Sequence, residues 1–267
     1  MSVDHKKVGR IWDENAEAWT RLSRSGYDVF RDHVNTPAFL DMLPDVRGLS
    51  GLDVGCGEGH NTRLLSQRGA KMTAFDLSGV FLGHAIKEEN RRPLGVRYFQ
   101  ASALELPFRD RLFHFAVGTM SFMDMPHHEK VIAETYRVLK PGGFLQFSIT
   151  HPCFQTPRWK FIYDETGNIS SVECGDYFFP PAEEIEEWCF RNVPHELVDG
   201  FGNFRVPAFR RTLSGWLNLL LESGFILEAF CEPFASEESV ERHSSLAVTR
   251  VIAFFLIIRC RKPVHVS

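Results

Sequence analysis

The sequence predicts an α/β protein with a mainly parallel sheet and helices on both faces. Three observations carry this. Between Gly51 and Ile149, short β-branched or aromatic runs alternate with stretches of helical period. A glycine-rich turn, Gly55-Cys56-Gly57-Glu58-Gly59, follows the first run and opens a helical stretch. The 267 residues are 44% hydrophobic and 24% charged, which supplies a sizeable core and argues against wholesale disorder.

Each element has a local reason. Residues 1–48 read as helical and amphipathic, with Trp12, Ala16 and Trp19 on one face at i, i+4, i+7 spacing. Gly51–Val54 is the first strand, and Asn61–Arg68 a helix stopped by Gly69. Lys71–Phe75 is the second strand, ending at Asp76. Ser78 can cap the helix that runs to about Asn90. Val96–Ala101 and Leu112–Val117 are strands three and four. A helix over His128–Leu139 precedes Pro141-Gly142-Gly143, which breaks the chain before the fifth strand, Phe144–Ile149.

The rhythm then fails. Residues 151–211 show no clear period and are rich in aromatics: Phe154, Trp159, Phe161, Tyr163, Tyr177, Phe178, Phe179, Trp188, Phe190, Phe201, Phe204 and Phe209. The pattern resumes at Thr212, an N-cap for the helix Leu213–Glu222, which Gly224 ends. Phe225–Cys231 and Val248–Cys260 read as two closing strands, separated by the acidic loop Ser236–Glu241. Three units follow: a helical lid at 1–48, a core over 49–150 and 212–262, and an insertion at 151–211.

Composition narrows the function classes. The formal net charge is −4, which disfavours a surface built to grip nucleic acid. The six cysteines form no C-x-x-C pair and no zinc-ligand spacing, so they read as reduced thiols and no metal is expected. The start, Met1-Ser2-Val3-Asp4-His5, has no apolar signal core. The most apolar stretch, Val251–Ile258, is far shorter than the roughly 20 residues of a membrane helix and reads as a buried strand. A cytoplasmic chain without membrane contact is expected.

The glycine turn carries the chemistry. Glycine backbone can approach a ligand closely, and ligands in open α/β sheets lie beyond the carboxyl ends of the strands. A dinucleotide fingerprint needs glycine at position 60, where His60 stands, and the lysine of a phosphate-binding P-loop is absent. This disfavours an NAD-linked oxidoreductase. Asp53, inside the strand before the turn, would repel a pyrophosphate but suits an ammonium or sulfonium. Asp76 suits a carboxylate accepting hydrogen bonds from ribose hydroxyls. The plainer alternatives are a helix N-cap for Asp76 and a buried, backbone-bonded carboxylate for Asp53.

Four ordered motifs make a resemblance specific. Leu52-Asp53-Val54-Gly55-Cys56-Gly57-Glu58-Gly59, Ala74-Phe75-Asp76-Leu77-Ser78, Ala103-Leu104-Glu105-Leu106-Pro107-Phe108 and Tyr136-Arg137-Val138-Leu139-Lys140-Pro141-Gly142-Gly143 resemble those of class I S-adenosylmethionine-dependent methyltransferases. The similarity is to the small-molecule branch that includes quinone-biosynthesis enzymes. It implies a Rossmann-like seven-stranded sheet, order 3-2-1-4-5-7-6, with strand 7 antiparallel. It also implies S-adenosylmethionine as cofactor and S-adenosylhomocysteine as product. By position, Gly55, Cys56 and Gly57 would meet the cofactor through backbone, Asp53 would orient its amino group and Asp76 would hold its ribose. Leu77 and Leu104 would border the adenine, Ala103 would offer it a backbone contact, and Met120 would lie beside the methionine moiety. Ser102 replaces the acidic residue usual near the adenine amine, and His114 replaces a frequent aspartate before the fourth strand.

The acceptor side is read from the residues alone. His151, directly after the fifth strand, is a candidate base, or a loop histidine bonded to backbone. Tyr27, Phe154 and Arg211 are candidate substrate contacts, and the insertion's aromatics either wall a pocket or form their own core. Arg205 and Arg210 are further candidates for a substrate carboxylate or phosphate. Trp12, Trp19 and Tyr27 could close over the cofactor with Arg31 reaching its carboxylate, or they pack as an ordinary helix. His127, His128 and Glu129 read as a helix start, not a metal site. The expected partner is a small-molecule methyl acceptor. The alternatives are an RNA or protein methyltransferase, or a non-catalytic S-adenosylmethionine-binding protein.

Overall fold

The computed structural model describes residues 5–178, 184–190, 193–194 and 203–264. Helix α1 (His5–Arg24), a π-helical turn at Arg31–Asn35 and α2 (Thr36–Met42) precede the alternating region. There β1 (Ser50–Val54), α3 (His60–Gln67), β2 (Lys71–Asp76), α4 (Gly79–Arg91), β3 (Arg97–Gln100) and β4 (Phe113–Thr119) follow in turn. A 3-10 turn at Phe122–Asp124 leads to α5 (His128–Val138) and β5 (Leu139–Thr150). After an excursion described below come α6 (Leu213–Glu222), β10 (Ile226–Cys231), α7 (Glu237–Arg242), a 3-10 segment at Ser244–Arg250 and β11 (Phe255–Arg261).

The main sheet has seven strands in the order β10-β11-β5-β4-β1-β2-β3. Core strands one to five, with β10 as six and β11 as seven, reproduce the expected 3-2-1-4-5-7-6 order. β11 runs antiparallel to both neighbours, from Phe255↔Thr150 to Arg261↔Phe144 on β5. Period-two alternation separates two buried faces. Leu52, Val54, Ala116, Leu145, Phe147 and Ile258 face one cluster, closed by Val131 and Ile132 of α5 and Trp216 and Leu220 of α6. Met72, Ala74, Phe115, Val117 and Ile257 face the other, closed by Phe39 of α2 and Leu65 of α3.

The turn chemistry is local. The Ser78 hydroxyl accepts from the Phe81 N–H and the Thr212 hydroxyl from the Gly215 N–H, so both act as helix caps. His114 sits at the start of β4, away from the carboxyl edge. Its Nδ1 lies 3.1 Å from the Ser50 nitrogen and its Nε2 2.9 Å from Lys140 Nζ.

Three expectations need correction. Pro141-Gly142-Gly143 bulges the fifth strand without ending it: Phe113 pairs with Leu139 while Phe115 pairs with Phe144, and Gly142 has φ +77°. Val248–Ile252 is not strand: it lies in the 3-10 segment and the turn after it, with Leu246, Val248 and Thr249 buried beneath. The acidic loop holds α7, because the Ser236 hydroxyl caps the Ser239 N–H and Glu237 and Glu238 favour the helix N-terminus. The segment at 151–211 is the excursion. It contains two antiparallel pairs, β6 (Arg158–Tyr163) with β7 (Ile169–Gly175) and β8 (Glu184–Trp188) with β9 (Phe204–Ala208). Among the described residues, its buried aromatics Phe190 and Phe204 share a cluster with Leu22 of α1. Trp188, Phe190 and Phe204 surround Trp19 of α1 at 4.7–5.1 Å between ring centroids. Phe179 and Phe201 lie outside the described residues.

Candidate cofactor and active site

The carboxyl ends of β1, β2 and β4 meet at the glycine turn. Gly55, Gly57 and Gly59 all have φ between +53° and +86°, the left-handed region that glycine enters without strain. Their surroundings differ. A Cβ on Gly55 would lie 2.7 Å from Ser121 Cβ and 2.8 Å from Met125 Cε, so the end of β4 closes on that residue. A Cβ on Gly59 would meet Tyr98 Oη at 2.7 Å. A Cβ on Gly57 would meet nothing within 4 Å. The turn is packed on both flanks and open in the middle, where a ligand could approach its backbone.

Two carboxyls hold this turn. Asp76 accepts from the Gly57 N–H (2.7 Å) through one oxygen and from the Ser78 N–H (2.9 Å) through the other. It is not the N-cap of α4; Ser78 is. Burial raises the Asp76 carboxyl, while the backbone donors Ser78, Gly57 and Leu77 pull it back. Asp53 is 2% exposed and accepts a 2.5 Å hydrogen bond from Thr62 Oγ1, not from backbone amides. Burial pushes it up to about 7, against the Thr62 bond and with the Asp76 charge. Burial also pushes the Cys56 thiol up, so it stays protonated and the residue contributes backbone and packing. The Cys56 and Gly55 N–H groups both donate to the Phe75 carbonyl at 3.0 Å.

Helix α1 straps this edge. Gly9 lets the helix approach Leu77: a Cβ there would lie 3.1 Å from Leu77 Cγ. Asp13 accepts from Ser78 Oγ at 2.6 Å, and Trp12 packs against Trp19 and Phe81. Arg24 donates to Glu58 Oε2 in the turn (2.7 Å) and to the Glu58 and His84 carbonyls. Arg31 bonds Asp32 (2.7 Å) and both oxygens of Ser23, and its Nη1 lies 3.8 Å from Glu58 Oε1. Desolvation raises nearby Asp28 to about 6, against the opposing Arg31 charge. Asp13, Arg24, Glu58 and Thr62 were not singled out from sequence. Only Glu58 stood within a quoted motif, and partners separated by tens of residues leave no local signal.

The remaining candidates divide. Ser102 accepts from the Leu104 N–H at 3.2 Å, Ala103 is buried, and Leu104 packs on the core, so these three form one turn beside β3. Met120, at φ +55°, donates its N–H to the Ser148 carbonyl and packs with Val29, Val34 and Phe255. His151 is buried, and both ring nitrogens are engaged: Nδ1 accepts from the Cys153 N–H (3.2 Å) and Nε2 lies 2.8 Å from Glu232 Oε1. Desolvation lowers its pKa, opposed by Glu232. Phe154 stacks 5.0 Å from that imidazole. Arg211 donates to His128 Nδ1 (3.0 Å) and pairs with Glu129; Arg210 pairs with Glu186; Arg205 lies 4.0 Å from Glu14. Tyr27 packs with Leu22, Phe190 and Phe204. The structure thus gathers Asp53, Gly55, Cys56, Gly57, Asp76 and Leu77 at one edge, with Trp12 and Arg31 above them. His151 and Arg211 each carry partners of their own. Among the described residues no group of histidine, cysteine and carboxylates could hold a metal, and no helix is long and apolar enough to cross a membrane.

The residues fit the implied cofactor on two structural observations. One is the open backbone at Gly57. The other is a set of buried polar atoms without hydrogen-bond partners around the same edge: Glu58 Oε1, Asn35 Nδ2 and Thr119 Oγ1.

Comparison with known proteins agrees. Residues 52–147 match a methyltransferase domain family. The chain is 37% identical over 158 residues to a ubiquinone/menaquinone biosynthesis C-methyltransferase of Brucella anthropi, covering 53% of this chain and 59% of that one. It is 31% identical over 124 residues to a malonyl-[acyl-carrier protein] O-methyltransferase of Pectobacterium atrosepticum, covering 46% and 47%. The chain spans about half the length of the curated relatives it matches. A solved S-adenosylmethionine-dependent methyltransferase from Mesorhizobium loti superposes with TM-score 0.68 at 26% identity, over 85% of this chain and 96% of that one. The seven-stranded sheet, its order and this likeness make the fold that of Rossmann-like methyltransferases.

Proposed function

We propose that this chain is a class I S-adenosylmethionine-dependent methyltransferase that acts on a small-molecule acceptor. The observation that carries the reading is the glycine turn, open at Gly57 and held between Asp76 and the buried Asp53. S-adenosylmethionine supplies an activated methyl group on a sulfonium, a good leaving group for in-line displacement. The protein's task is then alignment and exclusion of water. Asp76 holds the ribose, Leu77 and Leu104 border the adenine with Ala103 and Ser102 beside it, and Asp53 favours the ammonium end. Met120 flanks the methionine moiety. Helix α1, through Trp12, Arg24 and Arg31, covers the edge and excludes solvent.

His151 is best read as an anchor tying the end of β5 to the end of β10. Its Nδ1 lone pair is already occupied by the Cys153 N–H, which leaves no acceptor for a proton. Arg211 fixes α5 through His128 and Glu129. Phe154, Tyr27 and the insertion border the acceptor side. The relatives' names differ, a C-methyltransferase of ubiquinone/menaquinone biosynthesis and an O-methyltransferase of malonyl-[acyl-carrier protein]. The small-molecule reading adopted here follows the first.

Calorimetry with S-adenosylhomocysteine and with NAD tests the assignment. Binding of the first and not the second is expected. NAD binding without S-adenosylhomocysteine binding refutes it, and transfer of labelled methyl only to bulk RNA or protein would move the acceptor class.

A further inference from the structure

Asp124 closes the 3-10 turn that follows β4 at the carboxyl edge of the sheet, and it is 8% exposed. Its turn touches both halves of the site. On one side Ser121 Oγ donates to the Val54 carbonyl at 2.6 Å, and Ser121 and Met125 press on Gly55. On the other, the Met123 carbonyl accepts from the Phe209 N–H at 2.8 Å, and Met123 lines a cavity of about 30 Å³ with Thr150, Phe209 and Trp216. Between these flanks no described residue hydrogen-bonds or ion-pairs with the Asp124 carboxyl. Asp53 and Asp76 both have donors. A largely buried carboxyl that no described residue bonds is left available to a ligand.

We propose that Asp124 receives the proton of the methyl acceptor, which makes that acceptor a protic nucleophile, a hydroxyl or an amine, and not a carboxylate. This rests on the methyltransferase reading above. The step balances simply. A bond forms between the acceptor oxygen or nitrogen and the methyl carbon, the sulfur–methyl bond breaks, and the sulfur keeps its electron pair. The acceptor's proton passes to the Asp124 carboxylate. A carboxylate acceptor has no proton to give and would place a second negative charge beside Asp124.

Burial alone raises the Asp124 carboxyl well above its ordinary value. The charged groups on the packed elements are otherwise occupied. His128 of α5 meets the Phe122 carbonyl through Nε2 and is lowered to about 4 by burial, so it is neutral. Glu129 of α5 is taken by Arg211, and Arg205 of β9 faces Glu14 of α1. Asp53 at the end of β1 is held by Thr62, and no charged group on β5 acts on Asp124. Asp124 is therefore a strong base present as carboxylate in a fraction that grows with pH, and turnover should rise with pH toward the alkaline side.

Three measurements on the full chain, wild type and Asp124→Asn, test this. Calorimetry with S-adenosylhomocysteine should give affinities within about three-fold, because the proposal places Asp124 on the acceptor side. Thermal melts across pH, without ligand, should show the variant above the wild type at pH 8 and the gap closing toward pH 5. Labelled methyl transfer to catechol, benzylamine and benzoate should favour the first or second over benzoate. It should rise with pH in the wild type, and fall about 100-fold or more with a flattened profile in the variant. Asp124→Glu should restore part of the rate and the pH dependence. A variant with wild-type turnover and pH profile overturns the proposal. So does a variant less stable at every pH, transfer to benzoate alone, or no transfer to any probe. Should Asp124→Asn not fold, a pH-independent wild-type rate has the same force. A wild type that does not bind S-adenosylhomocysteine instead fails the methyltransferase reading itself.

Discussion

Replacing Gly57 and Gly55 by alanine separates the cost of backbone conformation from the cost of filling a ligand's space. Both have positive φ, +53° and +74°. A non-glycine residue there costs about 1–2 kcal/mol. Gly57→Ala adds no contact within 4 Å, so its stability cost should stop near that figure. A domain of this size loses about 2–4 °C of Tm per kcal/mol, so the expected fall is about 2–8 °C. Gly55→Ala places its methyl 2.7 Å from Ser121 Cβ and 2.8 Å from Met125 Cε. Overpacking of that kind adds about 1–3 kcal/mol, so this variant should melt lower still. Binding should rank the other way per unit of stability lost. The Gly57 methyl projects where the cofactor meets the backbone, and S-adenosylhomocysteine affinity should fall about ten-fold or more, the equivalent of about 1.4 kcal/mol. Melting curves and calorimetry on both variants, well below their midpoints, decide the matter. If Gly57→Ala binds within two-fold of the wild type, the open face of the turn is not the cofactor face and the assignment of the site fails.

Three further outcomes follow from named contacts. Arg24→Gln removes the 2.7 Å bond that straps α1 to Glu58; amide exchange over α1 should quicken and S-adenosylhomocysteine affinity should fall a few-fold, and unchanged exchange would show that the aromatic contacts of Trp12 and Trp19 suffice. His151→Gln breaks the Cys153 and Glu232 contacts and should lower stability by about 1–3 kcal/mol in a melt while turnover stays within a few-fold; a loss of about 100-fold with a changed pH profile would make the histidine the base after all. Asp53→Asn should reduce proton release on binding S-adenosylhomocysteine, measured by calorimetry in buffers of different ionisation heat; undiminished release would place the titrating group elsewhere.

The fold was legible because its signals are local and repeated. Short runs of strand-forming residues at Leu52–Val54, Met72–Phe75 and Phe113–Val117 mark strands, and Ser78 and Thr212 are caps that can be read from a few adjacent residues. Phe255–Arg261 was legible as apolar chain, but its start was not, since Val248 is equally apolar and is buried in a 3-10 turn. Asp53, the glycines and Asp76, which the structure gathers at one edge, could be picked out for the same reason of locality. The surroundings of His151 could not. His151 drew attention by its place after β5, and only the fold shows the Cys153 N–H on its Nδ1 and Glu232, from a distant segment, at its Nε2. Asp124 has no motif at all. Its distinction is that no described residue bonds its carboxyl, which depends on the elements packed around it.

The carboxyls of this edge share a physical character that bears on what binds there. Burial raises Asp53 to about 7, and it raises Asp76 and Asp124 as well. For an acid whose folded value exceeds its unfolded one, the folded state holds the proton more tightly. Its stabilising contribution is therefore complete below about pH 4 and is lost as pH rises, for Asp53 through about 7. At neutral pH and above, these groups work against the fold when nothing cationic lies near them. A ligand with an ammonium and a sulfonium reverses that by favouring the carboxylates, and its binding should release protons. An anionic pyrophosphate would deepen the strain. Stabilisation by S-adenosylmethionine should then grow between pH 6 and pH 8, where the unliganded protein weakens. The same cofactor should stabilise Asp53→Asn by an amount that changes less over that range. Equal pH dependence in the two proteins would show that Asp53 does not answer to the ligand's charge.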